Sequence, residues 1–323
     1  MIRKAVLLVL LFIVAVAHAE APGGGDIATF SIAACDPEAG ELGVAVASRF
    51  FAVGSVVPWA EAGVGAVATQ AYANTSFGWR GLELLAAGLT PEEATDVLVR
   101  SDDGFRRRQF GIVDPSGVAF SFTGDSCSAW AGGRFGPNYA VQGNILAGEA
   151  VVTAMEKAFL ETSGTLADRM YAALLAGEAN GGDSRGKQSA AMLVVREKAG
   201  YGGFTDRAID IRVDDHKEPF KELGRLLNIA QMNDAWNEAW TLFTEKKFAE
   251  ALPLMERTAA LAPDYPEVLY DLAVIRLAAG NSSTALEALR KALELNPKLK
   301  AQARGDADLA GLRDNPEYMK LVE

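Results

Sequence analysis

The stretch Thr29–Arg49, TFSIAACDPEAGELGVAVASR, constrains the fold of this chain more than any other. Thr29-Phe30-Ser31-Ile32-Ala33 alternates small polar with apolar residues, and Gly43–Ser48 is a second short β run. The turn-rich segment Asp36–Gly40 lies between them, so the stretch predicts a hairpin. Side chains alternate between the faces of a strand, which puts Thr29, Ser31 and Ala33 on one side and Phe30, Ile32 and Ala34 on the other. The strand offers hydroxyls to a cleft and apolar weight to a core. A threonine that opens such a strand is a candidate nucleophile, provided its own amino group becomes free.

The residues ahead of the hairpin bear on that condition. Arg3-Lys4, an apolar run from Ala5 to Ala17 and the small-x-small site Ala17-His18-Ala19 predict a signal peptide, residues 1–19, and a secreted or periplasmic protein. The run is roughly 13 residues where a span needs ~20, so no stable membrane anchor is expected. Glu20–Ala28, EAPGGGDIA, reads as a flexible pro-segment. Loss of Arg3 and Lys4 takes the formal charge from −11 to −13, which argues against nucleic acid and anionic membranes as partners. His18 leaves with the signal, and His216 sits in a charged run, Asp214–Lys217, that reads as a linker. A Ser-His-Asp or Cys-His mechanism would rest on that single imidazole and is not expected. Two cysteines and so few histidines provide no zinc-ligand spacing; no metal and no other cofactor is expected. Cys35 and Cys127 are read either as one bridge formed after export or as two buried thiols.

After the hairpin, Val53–Pro58 and Val64–Gln70 read as buried strands. Helices over Phe77–Ala87 and from the Thr90-Pro91-Glu92-Glu93 capping box to Arg100 follow. Strands return at Arg108–Asp114, Val118–Thr123 and Tyr139–Asn144, then helices at Glu149–Glu161 and Leu166–Ala176, the latter capped by Thr165 with Asp168. A glycine-rich loop, Asn180–Lys187, leads into strands at Ser189–Arg196 and Ile209–Val213. This order suits two stacked sheets with a helical layer outside each, an α+β domain over residues 29–215.

Residues 216–323 read as helical. Ala239, Ala251 and Pro263 recur as Ala273, Ala285 and Pro297, each pair 34 residues apart. With the small residues and the closing proline in place, this resembles two tetratricopeptide repeats, with Lys217–Asn228 and Asp306–Leu321 as flanking helices. Such repeats offer a docking surface for a protein partner or serve as a packing module, and a homo-oligomer is compatible with either.

Residues 29–213 resemble the family catalogued as domain of unknown function 1028. The likeness is carried by TFSIAACDPEAGELGVAVASRFFAVGSVVPWAEAGVGAVATQA, YAVQGNILAG and GGDSRGKQSAAMLVV. That family is grouped with the N-terminal-nucleophile hydrolases, so the resemblance implies a four-layer αββα sandwich followed by an all-α tetratricopeptide-like domain. It also implies hydrolysis of a small amide or peptide-like substrate by Thr29. A free α-amino group, with a pKa of about 7.7–8.0, would serve as the base, and no histidine is needed. Backbone N–H groups around Gly143-Asn144 and the Asn144 side chain are the expected oxyanion donors. Proteasome-type relatives place an aspartate where this chain has Ala47, and the usual lysine partner is missing; no lysine lies between Ala5 and Met155. Its electrostatic role passes to Arg49, Arg185 or Lys187, with Asp183 as orienting acid, while Ser31, Gly143, Gln188 and Ser189 complete the expected substrate contacts. The alternative function is a non-catalytic exported binding or scaffold protein acting through its helical repeats.

Overall fold

The computed structural model describes residues 29–200 and 203–323; the expected signal and pro-segment lie outside them. The hairpin forms as β1 (Thr29–Asp36) and β2 (Glu41–Ser48), paired Thr29 to Ser48 through Asp36 to Glu41. A 3₁₀ turn at Val53–Ser55 comes next, where the sequence suggested a strand. The strand itself begins later, as β3 (Pro58–Glu61), because Ala52 turns the chain through a left-handed conformation. The chain continues with β4 (Gly65–Ala71), α1 (Ser76–Ala86), α2 (Pro91–Arg100), β5 (Arg108–Val113) and β6 (Ala119–Thr123). Then come β7 (Trp130–Gly136), β8 (Tyr139–Leu146), α3 (Glu149–Glu161), α4 (Leu166–Ala179), β9 (Ser189–Val195) and β10 (Arg207–Val213). Both expected capping boxes form: the side chains of Thr90 and Thr165 accept from the N–H groups of Glu93 and Asp168, whose carboxylates reach back.

Two antiparallel sheets result, one ordered β10-β9-β2-β1-β8-β7 and one ordered β3-β4-β5-β6. Phe30, Ile32 and Ala34 pack outward against Val152, Met155 and Met170 of α3 and α4, while Val67, Phe110 and Ile112 of the smaller sheet pack against Phe77 and Leu98 of α1 and α2. Between the sheets, Ala33, Cys35, Val44, Val46, Ala66, Ala68 and Val113 form a third apolar cluster.

The chain then enters α5 (Pro219–Thr244), α6 (Phe248–Leu261), α7 (Pro266–Ala278), α8 (Ser282–Leu295), α9 (Leu299–Gly305) and α10 (Pro316–Val322). Ala239, Ala251, Ala273 and Ala285, the small residues of the 34-residue period, are fully buried. The protein is thus a mixed α+β N-terminal domain with two antiparallel sheets and an all-helical C-terminal region. The two are joined by one helix: Phe220, Leu223 and Leu227 of α5 belong to the core under the six-stranded sheet, Met232 and Ala239 to that of the repeats. Gly224 permits the first contact, since a Cβ there would lie 2.2 Å from the Tyr171 hydroxyl.

The structure corrects the cysteine bridge. Cys35 donates its N–H to Asn138 O, and Asn138 in turn bonds Gly117 at the β5–β6 turn. The Cys127 thiol lies 3.5 Å from Arg108 O at the other end of β5. At ~3.4 Å per residue that strand separates them by roughly 17 Å, far beyond the ~7 Å a disulfide tolerates. Neither cysteine is in a disulfide, and burial, followed by the nearby Asp114 and Asp36, pushes the Cys35 thiol up to about 12.

Candidate functional site

The register of the six-stranded sheet aligns four small polar residues at one end. Thr29 pairs with Asn144 on one side and Ser48 on the other, and Ser48 pairs with Ser189. All four are buried on the face turned to the smaller sheet. The Thr29 hydroxyl donates to Ser48 Oγ at 3.1 Å, while Ser189 Oγ accepts from the Val53 N–H at 3.2 Å and donates to Phe50 O, fixing the turn after β2.

Three glutamines, one each from β4, β5 and β8, fill the space between the sheets beside this row. Gln70 donates to Thr29 O (3.2 Å) and Gln109 Oε1 (2.9 Å), and accepts from Ser31 Oγ (2.6 Å). Gln142 donates to Ser31 Oγ at 2.6 Å. Gln109 accepts from Asn144 Nδ2 at 3.0 Å and donates to Gly143 O at 2.8 Å and Thr123 Oγ1 at 2.9 Å. A Cβ at Gly111 would stand 2.2 Å from Gln142 Oε1, so glycine at that position makes room for the network. Among the described residues no buried side-chain nitrogen or oxygen lacks a partner. An unmatched polar group at this depth would cost a few kcal/mol, so complete pairing is what makes so polar a core tenable.

The loop before β9 abuts the same end. Asp183, nearly inaccessible, accepts the Arg49 N–H at 2.7 Å through Oδ2 and the Arg185 N–H at 2.9 Å through Oδ1, and pairs with the Arg185 guanidinium at 3.1 Å. Arg49 and Arg185, two of the residues expected to replace the missing lysine, are therefore tied to one carboxylate. Lys187 is drawn off to Glu218 at 2.8 Å, whose hydrogen bond raises the lysine's pKa above its ordinary value and lowers the glutamate's. Gln188 joins the loop to β2, its N–H donating to Ser48 O at 3.1 Å. At the end of the smaller sheet that carries Gln70 and Gln109, Asp102 binds Arg108 at 2.8 Å and accepts from Asn74, and Arg108 reaches Tyr72 O. The Arg108 hydrogen bond is the main reason the Asp102 carboxyl is lowered to about 2.

The expected residues thus fall into two groups: Thr29, Ser31, Gly143, Asn144 and Ser189 between or beside the sheets, and Arg49, Asp183, Arg185, Lys187 and Gln188 in the loop layer at their end. Ser48 and the three glutamines were missed as site residues. Their signal was present: Gln70, Gln109 and Gln142 each stand in a mainly apolar strand, an uncommon choice for a buried position.

A domain of two antiparallel sheets with paired helices on each, a buried polar row at one end and a helical repeat region behind it defines the class. Residues 29–223 match the model of a family of unknown function, DUF1028, and residues 242–310 match a tetratricopeptide repeat model. The chain belongs to the DUF1028 family. It is similar to the crystal structure of protein SPO2555 from Silicibacter pomeroyi, a DUF1028 protein, with 33% identity and a TM-score of 0.58 over 63% of this chain and 86% of that one. No curated protein matches.

Proposed function

We propose that the N-terminal domain is an αββα sandwich of the N-terminal-nucleophile kind, and that the protein is an exported amidohydrolase with Thr29 as nucleophile. The observation that carries this reading is the position of Thr29 at the first residue of β1, between Ser48 and Asn144, with its hydroxyl 3.1 Å from Ser48 Oγ. In the sequence Thr29 is acylated by Ala28, so its nitrogen cannot act as a base until that bond is broken.

Thr29 performs the break itself: Oγ1 attacks the Ala28 carbonyl carbon, the C–O bond forms, the C–N bond opens and the nitrogen takes up the hydroxyl proton. Water then hydrolyses the ester, releasing the Ala28 carboxylate and restoring the hydroxyl beside a free amine. In turnover that amine takes the hydroxyl proton, and the N–H groups around Gly143-Asn144 meet the oxyanion. Asp183 holds the Arg49 and Arg185 backbone at the rim, and Ser31, Lys187, Gln188 and Ser189 shape the substrate's surroundings. The repeats recruit a protein partner. Intact-mass measurement and amino-terminal sequencing of exported protein test the reading: a species beginning at Thr29 is expected in wild type, more slowly in Thr29→Ser, and not in Thr29→Ala. Quantitative retention of Glu20–Ala28 in wild type would overturn it.

A second reading, a non-catalytic binding protein, is favoured by the complete enclosure of Thr29 and by the repeat region. It expects the same mass for wild type and Thr29→Ala, apart from the substitution itself.

A further inference from the structure

Beside the Thr29 row lies a depression of about 600 Å³ lined by Arg49, Lys187, Gln188, Asp215, His216 and Lys217. Three chain segments meet there: the residue after β2, the loop before β9, and the charged run before α5. Backbone hydrogen bonds hold them in register. Gln188 donates to Ser48 O at 3.1 Å, His216 donates to Gln188 O at 2.9 Å, and the Arg49 N–H is held by Asp183 at 2.7 Å. The depression is therefore fixed relative to Ser48, which holds the Thr29 hydroxyl.

Its charge is opposite to that of the molecule. In a chain of net charge −11, this lining carries three cations and one carboxylate. Lys187 is already matched by Glu218 at 2.8 Å, and Asp215 accepts from the Gln188 amide at 3.2 Å. The Arg49 guanidinium and the Lys217 ammonium pair with no carboxylate among the described residues; the one side-chain hydrogen bond of Arg49 is to Lys187 O at 3.4 Å. His216 Nδ1 accepts the Glu218 N–H at 3.0 Å, which leaves the proton of the neutral ring on Nε2 as a further donor. A forked guanidinium with an adjacent ammonium and an imidazole N–H is a donor set suited to a planar carboxylate. The volume falls within the range of ~300–1,000 Å³ that small-molecule sites occupy.

We propose that this depression binds the carboxylate of an anionic amide of the N-acyl amino acid class, with Arg49 and Lys217 as the principal contacts. The reaction of that amide rests on the hydrolase reading above; its binding does not. Calorimetric titration of the full chain with N-acetyl-L-alanine and with uncharged N-acetyl-L-alaninamide tests the site. The acid is expected to bind at least about tenfold more tightly than the amide, with an affinity that falls as salt is raised. Arg49→Gln and Lys217→Gln, both at exposed side chains, are each expected to weaken it about tenfold, a loss of about 1.4 kcal/mol. Thr29→Ala retains binding. Equal affinity for acid and amide, no binding of the acid, or indifference to both substitutions would overturn the proposal. Binding of the acid without cleavage would overturn only the Thr29 chemistry; cleavage without preference for the acid would overturn only this site.

Discussion

The space between the two sheets differs from one end to the other. At the end of β1 that carries Ala33 and Cys35, the sheets meet through alanine and valine, including Val44, Ala66 and Val113. At the end that carries Thr29 and Ser31, the same face of the same strand meets Gln70 and Gln142 and, through Gln70, Gln109. Apolar contact is tolerant, because neighbours can shift to fill a small loss. A buried polar network is not, since every donor released loses a partner that water cannot replace. The apolar end thus secures the pairing of the sheets, and the polar end fixes where each atom near Thr29 stands.

The largest effect expected from this contrast is at Gln109. Gln109→Leu removes the acceptor of the Asn144 amide, one of the acceptors of Gln70 and the donor to Thr123 Oγ1 and Gly143 O, and should cost about 4 kcal/mol in urea unfolding, against about 2 for Val113→Ala at the apolar end. A smaller loss at Gln109 than at Val113 would mean that the polar end is not the more exacting one.

Next comes Asp102, at the polar end's rim. Its carboxyl is lowered to about 2 in the folded protein, below the ordinary 3.8, so the unfolded chain binds the proton more readily. The stabilisation is fully present above about pH 4 and is lost as pH falls through about 2. It amounts to about 2 kcal/mol. Acid unfolding of Asp102→Asn should lack that segment of the pH dependence; an unchanged curve would remove Asp102 from the account of the rim.

The smallest effect is chemical. With its thiol raised to about 12 at the apolar end, Cys35 should resist alkylation at pH 8 while Cys127, partly accessible, reacts first. Denatured, non-reduced protein should titrate two thiols; finding none would restore the bridge.

What the sequence expressed well was local. The hairpin, the two capping boxes and the 34-residue period each lie within a few dozen residues, where alternation, spacing and turn chemistry act directly. Strand β7, Trp130-Ala131-Gly132-Gly133-Arg134-Phe135-Gly136, was not anticipated because a half-exposed edge rich in glycine carries no alternation to detect. Val53–Pro58 misled because a short apolar run fits a buried turn as well as a strand. The glutamine network joins positions as far apart as Ser31 and Gln142, a pairing that follows from tertiary register alone. The run Asp214–Lys217 read as a linker, yet Asp214 O accepts the Ala52 N–H and His216 donates to Gln188 O, so the segment is stitched into the end of the sheet.

Helix α5 adds a mechanical consequence. Its 26 residues form a rod of about 39 Å that is seated at its first turns under the six-stranded sheet and at its last turns among the repeats. Tension applied to the repeats would meet no slack tether; α5 would carry it to β10 and β9, against which its first turns pack. Ser189, the first residue of β9, pairs with Ser48, so the far end of that lever is the strand edge beside Thr29.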